Sequence, residues 1–135
     1  IDDFGKKIVT KIQEAEKATS CKDVSLNLNV ALGYGGRQDI VDLAKEISSK
    51  VLAKEIEVKD IDEEMINDFS CAPEDNIDLL IRSGGDKRIS NFLLYQIAYS
   101  EIAFIDKYWP DFTRQDFIEC IQNFNKVSRR FGKRI

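Results

Sequence analysis

The chain has 135 residues, of which 43% are hydrophobic and 33% are charged. This composition is typical of a globular domain and excludes a disordered tail. The formal net charge is −4, which argues against broad nucleic-acid binding because such binding needs a basic field. The sequence has no histidine, which excludes a Ser-His-Asp triad or a histidine-ligated zinc built from it. A metal here would need oxygen ligands, which favours magnesium or calcium.

The spacing of the cysteines indicates the redox environment of the protein, and the first residue bears on where the sequence starts within it. Cys21, Cys71 and Cys120 are widely spaced and form no C-x-x-C motif, so we expect reduced, structural thiols in a cytoplasmic protein. The sequence begins at Ile1, inside a segment with helical periodicity. We therefore expect it to start partway through a larger protein, as a C-terminal fragment in which residues 1–135 form a single domain.

Hydrophobic periodicity divides the chain into helices and strands in alternation. Segments with apolar residues on one helical face predict helices at 1–19, 40–51, 60–68, 92–99 and from Thr113 or Asp116 onward. Alternating or short apolar runs predict strands at 24–32, 77–81 and 102–105. The predicted order is α-β-α-α-β-α-β-α, which indicates an α/β fold with a parallel sheet flanked by helices.

Two glycine-rich turns follow predicted strands, at 33–37 and 82–91. Ligands of parallel sheets bind at the carboxyl ends of strands, so both turns lie where a ligand would bind. The first turn is most simply a flexible connection between strand and helix. The second carries Arg82, Arg88 and Ser90 around two glycines.

The second turn has the composition of an anion site. Guanidinium groups bind phosphate oxygens in bidentate fashion, glycines allow the backbone to approach a ligand, and a helix N-terminus adds N–H donors. Together these features suit a diphosphate. A plain turn with solvated arginines, in which Ser90 only caps the next helix, explains the local pattern equally well.

Two carboxylates near this turn have two interpretations each. Asp86 could orient a neighbouring arginine or help to hold a metal, although an ordinary turn aspartate fits its position. Glu101 could bind magnesium that arrives with a diphosphate, although a single glutamate is more often a surface residue. The basic run 129–134 could reach a diphosphate or could be a solvated tail.

Read together, several linked segments resemble the cis-prenyltransferases, and bacterial undecaprenyl diphosphate synthases in particular. The matching segments follow the family order over nearly the whole chain: 28–37 (LNVALGYGGR), 78–85 (DLLIRSGG), 88–94 (RISNFLL), Gln96, 98–99, Glu101, 109–112 (WPDF) and 129–132 (RRFG). Two positions depart from the family pattern. Asp86 stands where a glutamate is usual, and Tyr95 stands where a tryptophan is common.

The resemblance implies a role for most of the candidate residues. Four residues would hold the diphosphate of isopentenyl diphosphate: Arg82, Arg88, Ile89 and Ser90. Glu101 matches the carboxylate that binds Mg²⁺, in some members across a dimer. Asp86 would support the site, and Arg130 and Gly132 would close over it.

The family reaction joins isopentenyl diphosphate to an allylic diphosphate such as farnesyl diphosphate. The allylic diphosphate departs, the isopentenyl double bond attacks, and a proton is lost to set a cis double bond. The expected product is a long, undecaprenyl-like cis-polyprenyl diphosphate, a lipid carrier for cell-wall synthesis. The resemblance also implies a homodimer, a cytoplasmic protein that delivers its lipid product to the membrane, and an apolar tunnel. The apolar face of 24–32 could line that tunnel or be ordinary sheet core.

The Asp-Gly-Asn-Gly-Arg motif that carries the family's catalytic aspartate is missing from this sequence. The chain would thus hold the isopentenyl half of the site and be inactive alone. A non-catalytic homologous subunit is the alternative, although such a subunit has little need of Arg82, Arg88, Ser90 and Glu101. A generic nucleotide-binding module is a third reading, against which stands the lack of Walker A or G-x-G-x-x-G spacing.

Overall fold

The protein was analysed as a computed structural model, which describes residues 5–72 and 76–127. The chain divides into two compact units, Ile1–Tyr34 and Gly35–Ile135. Within the described ranges, no helix is long and apolar enough to cross a membrane.

The described residues of the first unit form one helix, α1, at Lys6–Thr19. The strand predicted for 24–32 is wrong, since this segment forms neither helix nor strand. Its apolar side chains face solvent, with Leu26 81% and Leu28 82% exposed. Alternation predicts a strand only when a neighbouring strand takes up its N–H and C=O groups, and the described part of this unit contains no such neighbour.

The second unit contains the remaining helices and both strands. In chain order they are α2 (Gly36–Leu52), α3 (Glu63–Phe69), β1 (Leu79–Ser83), β2 (Glu101–Ile105) and α4 (Arg114–Phe124). Short 3₁₀ turns at Val58–Asp60 and Trp109–Asp111 precede α3 and α4.

Strands β1 and β2 pair in parallel, with Leu79 opposite Glu101 and Arg82 opposite Phe104. This confirms the predicted α/β class with parallel strands, and the bounds of these two strands differ from the predicted ones by one or two residues. The buried apolar residues of the described chain are Ile47 on α2, Cys120 on α4, and Ile97 in the connection between β1 and β2. Because the strands are parallel, their carboxyl ends lie at the same edge, where the second glycine-rich turn begins.

The helix predicted for 92–99 is also wrong, because this segment forms a series of turns. Ser90, Asn91 and Leu93 have positive φ values of 47°, 65° and 44°. A right-handed helix cannot continue through left-handed residues. Ser90 and Asn91 come just before the segment and Leu93 lies inside it, so its apolar periodicity is not accompanied by a helix. The bond from Ile97 N to Leu93 O, at 3.1 Å, has the spacing of an α-helix, whereas the bond from Ala98 N to Tyr95 O spans three residues.

A buried glutamine joins these turns to the rest of the unit. Gln96 is 1% exposed, and its Nε2 donates to Ser70 Oγ at 2.7 Å and to Ala72 O at 3.1 Å. Ser70 Oγ in turn donates to Asp39 Oδ2 on α2 at 3.0 Å. The backbone oxygen of Gln96 accepts from Ile77 N, just before β1, at 3.1 Å. Gln96 therefore links the end of α3 through its side chain and the start of the sheet through its backbone, and Ser70 extends this path to α2.

Helix α4 begins at the first of the two predicted positions, with Thr113 as its N-cap. Thr113 Oγ1 accepts from Asp116 N at 3.2 Å, and Asp116 Oδ2 accepts from Thr113 N at 2.8 Å. Lys107 Nζ donates to Asp116 Oδ1 at 2.7 Å. The ion pair with Lys107 and the bonds from Thr113 lower the pKa of Asp116 to about 2.

We expect Gln96→Leu to lower the free energy of unfolding by about 1–3 kcal/mol, because it leaves buried polar partners without their donor. Urea unfolding curves would measure the change. The matched control is Gln122→Leu, the same substitution at an exposed position of α4, which should stay within about 0.5 kcal/mol. Equal losses in the two variants would contradict the role given to Gln96.

Asp116 should make stability depend on pH in the acid range. Its pKa of about 2 lies below the value near 3.9 of an unfolded aspartate, so its contribution is present above about pH 4 and is lost as pH falls toward 2. The stability difference between the parent and Asp116→Asn should therefore shrink from pH 6 to pH 2 in denaturant titrations. Glu46→Gln, at an exposed carboxylate on α2, serves as control. A constant difference across this range would refute the assignment.

Candidate functional site

The candidate site lies in the turn that follows β1. Gly84 and Gly85 have φ values of 100° and 79°, a conformation that favours glycine. Gly84 N donates to Lys107 O at 2.7 Å, and Gly85 N donates to Ile105 O at 3.0 Å. The expectation that these N–H groups turn toward a ligand is therefore wrong. They extend the pairing with β2, and no helix N-terminus follows to add donors.

The charged side chains of this turn form one connected cluster. Arg82 Nη1 donates to Ser90 Oγ at 2.9 Å. Asp86 Oδ2 accepts from Arg88 Nη2 and lies 3.6 Å from Arg82 Nη2. The structure thus brings Arg82, Asp86, Arg88 and Ser90 together, and Asp86 orients both arginines. Ile89 lies between Arg88 and Ser90 and is half-buried.

The donors of this cluster suit an anion with several oxygens. The Arg82 side chain is 25% exposed, whereas that of Arg88 is 63% exposed. Arg82 Nε is buried, and no hydrogen-bond acceptor for it is found in the described ranges. Ser90 Oγ accepts from Arg82 and still carries its own O–H as a donor. Two guanidinium groups and a hydroxyl can together bind the oxygens of a diphosphate.

Glu101 lies apart from this cluster within the chain. It opens β2 opposite Leu79, three residues before Arg82 along β1, which corresponds to about 10 Å along the strand. In the described parts of the chain, no three His, Cys, Asp or Glu side chains cluster closely enough to hold a metal ion. A lone carboxylate still fits Mg²⁺, which is commonly bound by one or two carboxylates together with substrate phosphates.

The structure shows a contact of this turn that the sequence did not predict. Asn91 O accepts from Gly36 N at 2.8 Å, and Asn91 Oδ1 accepts from Arg37 N at 2.9 Å. A Cβ on Gly36 would lie 2.8 Å from Leu94 Cγ, and one on Gly35 would lie 2.9 Å from Asn91 Nδ2. The end of the first glycine-rich turn therefore packs closely against Asn91, at the end of the second. Two adjacent glycines were the only sequence signal for it.

Two further predictions concern residues away from this cluster. Arg130 and Gly132 lie outside the described residues. Cys71 and Cys120 are free thiols, and desolvation raises the pKa of both. The pKa of Cys71 reaches about 11, because the neighbouring Asp39 carboxylate adds to the desolvation. A thiol with a raised pKa is a poor nucleophile. Cys120 is buried, whereas Cys71 and Cys21 are exposed, so the prediction of structural thiols stays a prediction for these two.

Comparison with known proteins identifies the family. Residues 1–132 match the prenyltransferase family model described as "Putative undecaprenyl diphosphate synthase". The chain therefore belongs to the cis-prenyltransferase family, as the linked motifs predicted.

The chain is 46% identical over 129 residues to the tritrans,polycis-undecaprenyl-diphosphate synthase (geranylgeranyl-diphosphate specific) of Pyrococcus horikoshii, covering 95% of this chain and 48% of that protein. It is 44% identical over 130 residues to the ditrans,polycis-undecaprenyl-diphosphate synthase ((2E,6E)-farnesyl-diphosphate specific) of Escherichia coli K12, covering 96% and 51%. The chain spans about half the length of these relatives. Archaeal and bacterial relatives match at similar identity.

A solved structure supports the same fold. Lavandulyl diphosphate synthase from Lavandula x intermedia, in complex with dimethylallyl diphosphate, superposes with a TM-score of 0.84 at 30% identity. The match covers 98% of this chain and 57% of that chain. The α/β fold with parallel strands is thus that of the cis-prenyltransferases.

We expect Gly36→Ala to destabilise the protein by about 1–3 kcal/mol, because a methyl group there overlaps Leu94. Thermal unfolding followed by circular dichroism would measure the loss. Gly5→Ala is the matched control, since a Cβ at Gly5 meets no atom within 4 Å. A Gly36→Ala variant as stable as the control would show that the two turns can separate without cost.

Proposed function

We propose that this chain provides the isopentenyl diphosphate site of a cis-prenyltransferase. The carrying observation is the connected cluster of Arg82, Asp86, Arg88 and Ser90 at the carboxyl end of β1. Its residues stand at the positions that the family resemblance assigns to diphosphate binding. The names of the relatives, which are undecaprenyl diphosphate synthases, support the same activity.

In this proposal each residue of the cluster binds or orients the substrate. Arg82, held by Ser90 and Asp86, presents a preorganised guanidinium, so little side-chain entropy is lost when the anion binds. Arg88, which is more exposed, moves from Asp86 to the diphosphate. Ser90 donates a hydrogen bond from its hydroxyl group to a phosphate oxygen. Ile89 lies between Arg88 and Ser90 in the same turn.

The reaction also needs groups outside this cluster. Mg²⁺, when bound, would neutralise diphosphate charge, and Glu101 is the carboxylate that we assign to it. Because Glu101 lies at the opposite end of the sheet, we propose that it serves a site completed by a second subunit of a homodimer. Arg130 and Gly132 are assigned to closure over the diphosphate.

The allylic site and the catalytic aspartate are proposed to lie in a segment that the full-length relatives have and this sequence does not include. The whole protein would then make a long cis-polyprenyl diphosphate in the cytoplasm and pass this lipid carrier to the membrane. The two relatives carry different allylic diphosphates in their names. Both farnesyl and geranylgeranyl diphosphate therefore belong in any assay.

Arg82→Ala should weaken isopentenyl diphosphate binding by roughly 10- to 150-fold, the equivalent of about 1.5–3 kcal/mol for a charge-assisted hydrogen bond. Ser90→Ala should weaken it by about tenfold, since it loses one donor and releases Arg82. Calorimetric titration of the full-length protein with isopentenyl diphosphate and Mg²⁺ would measure both.

The matched control for this titration is Arg114→Ala, at an exposed arginine on α4. Binding that depends on Arg114 as much as on Arg82 would mean that the anion is attracted by general charge. Radiolabelled isopentenyl diphosphate, supplied with either allylic diphosphate, would then test transfer. Magnesium-dependent, solvent-extractable product is the expected result.

A non-catalytic homologous subunit is the alternative function. The cluster of Arg82, Asp86, Arg88 and Ser90 opposes it, because a non-catalytic subunit has little need of a diphosphate site. Co-purification with a catalytic homologue, together with no transfer by this protein alone, would decide for the subunit.

A further inference from the structure

We propose that Asn91 is a positioning residue that shapes the diphosphate site by binding the N-terminus of α2. This inference rests on the proposed function of the cluster around Arg82. The binding residues themselves follow from the family resemblance, whereas the contact of Asn91 follows from the structure alone.

Helix α2 lacks a cap of its own. Its N-cap residue is Gly35, which has no side chain to accept from the first N–H groups of the helix. Asn91, 54 residues away from Arg37 in sequence, supplies both acceptors through its backbone oxygen and Oδ1. The helix end and the diphosphate turn are therefore fixed to each other.

The backbone of the turn needs this attachment. Ser90, Asn91 and Leu93 all have positive φ, and these conformations persist only where surrounding contacts hold them. Asparagine tolerates this region better than most residues. Two hydrogen bonds to a rigid helix end hold Asn91 in this conformation, and its neighbour Ser90 is fixed with it.

The effect on the site passes through Ser90. Its Oγ accepts from Arg82 Nη1, so its backbone conformation sets where the Arg82 guanidinium lies. If Asn91 lost its contacts, Ser90 could return to a right-handed conformation, and Arg82 would keep Asp86 but lose its hydrogen bond to Ser90. The Gly35–Gly36 pair gains a role in the same way, since side chains at these positions would push Asn91 and Leu94 away.

The test compares three variants of the full-length protein. Asn91→Ala loses the side-chain bond and disfavours positive φ, whereas Asn91→Gly loses only the bond. Thr113→Ala removes a cap of similar strength from α4, away from the turn. For each variant, the affinity for isopentenyl diphosphate, the KM of each substrate and the Tm are measured.

We expect Asn91→Ala to raise the Kd and the KM for isopentenyl diphosphate by about tenfold or more, and Asn91→Gly by about threefold. The KM for the allylic diphosphate should stay within about twofold in both, because only one substrate meets this turn. Thr113→Ala should lower the Tm without changing either affinity.

Unchanged isopentenyl diphosphate affinity in Asn91→Ala would overturn the inference, as would a rise in both KM values together. An equal loss in Thr113→Ala would also overturn it, because the effect would then be general destabilisation. If the parent protein itself fails to bind isopentenyl diphosphate, the proposed function fails first. Titration of the parent protein with isopentenyl diphosphate therefore distinguishes failure of the proposed function from failure of the inference about Asn91.

Discussion

The second unit depends on the buried amide of Gln96. Its bonds to Ser70 and Ala72 fix the turn-rich segment between β1 and β2 to the end of α3, while Asn91 binds the same segment to α2. Those turns have few repeating backbone bonds of their own, so a side chain supplies what a helix would otherwise give. The polar path continues to Asp39 in the first turn of α2. This places the N-terminus of α2 where Asn91 can reach it.

The electrostatics of the site follow from this scaffold. Two guanidinium groups lie near one carboxylate, Asp86, so the cluster keeps a net positive charge while each arginine is held in place. An aspartate is one methylene shorter than the glutamate usual in the family, and here it still reaches both Arg82 and Arg88. Asp86 therefore behaves as an orienting residue in this structure.

Sequence reasoning succeeded where local chemistry decides the structure. The start of the last helix was predicted at Thr113 or Asp116, and the parallel strands follow from the alternation of strands with helical connections. It failed at 24–32, because a strand also needs a neighbour. It failed at 92–99, because left-handed residues other than glycine leave little trace in composition. Motifs named the members of the diphosphate cluster, but not its hydrogen bonds or the contact made by Asn91.

In the glycine turn after β1, the backbone bonds that stabilise the fold are separate from the side chains that are proposed to bind the substrate. The N–H groups of Gly84 and Gly85 are bonded to Lys107 and to Ile105 at the end of β2, so the proposed binding of an anion depends on side chains. In the proposed site, substitutions of the exposed residues Arg88 or Ser90 would weaken binding and leave the strand pairing intact. The residues proposed to bind the anion can therefore change without disturbing the backbone pairing that holds the turn in place.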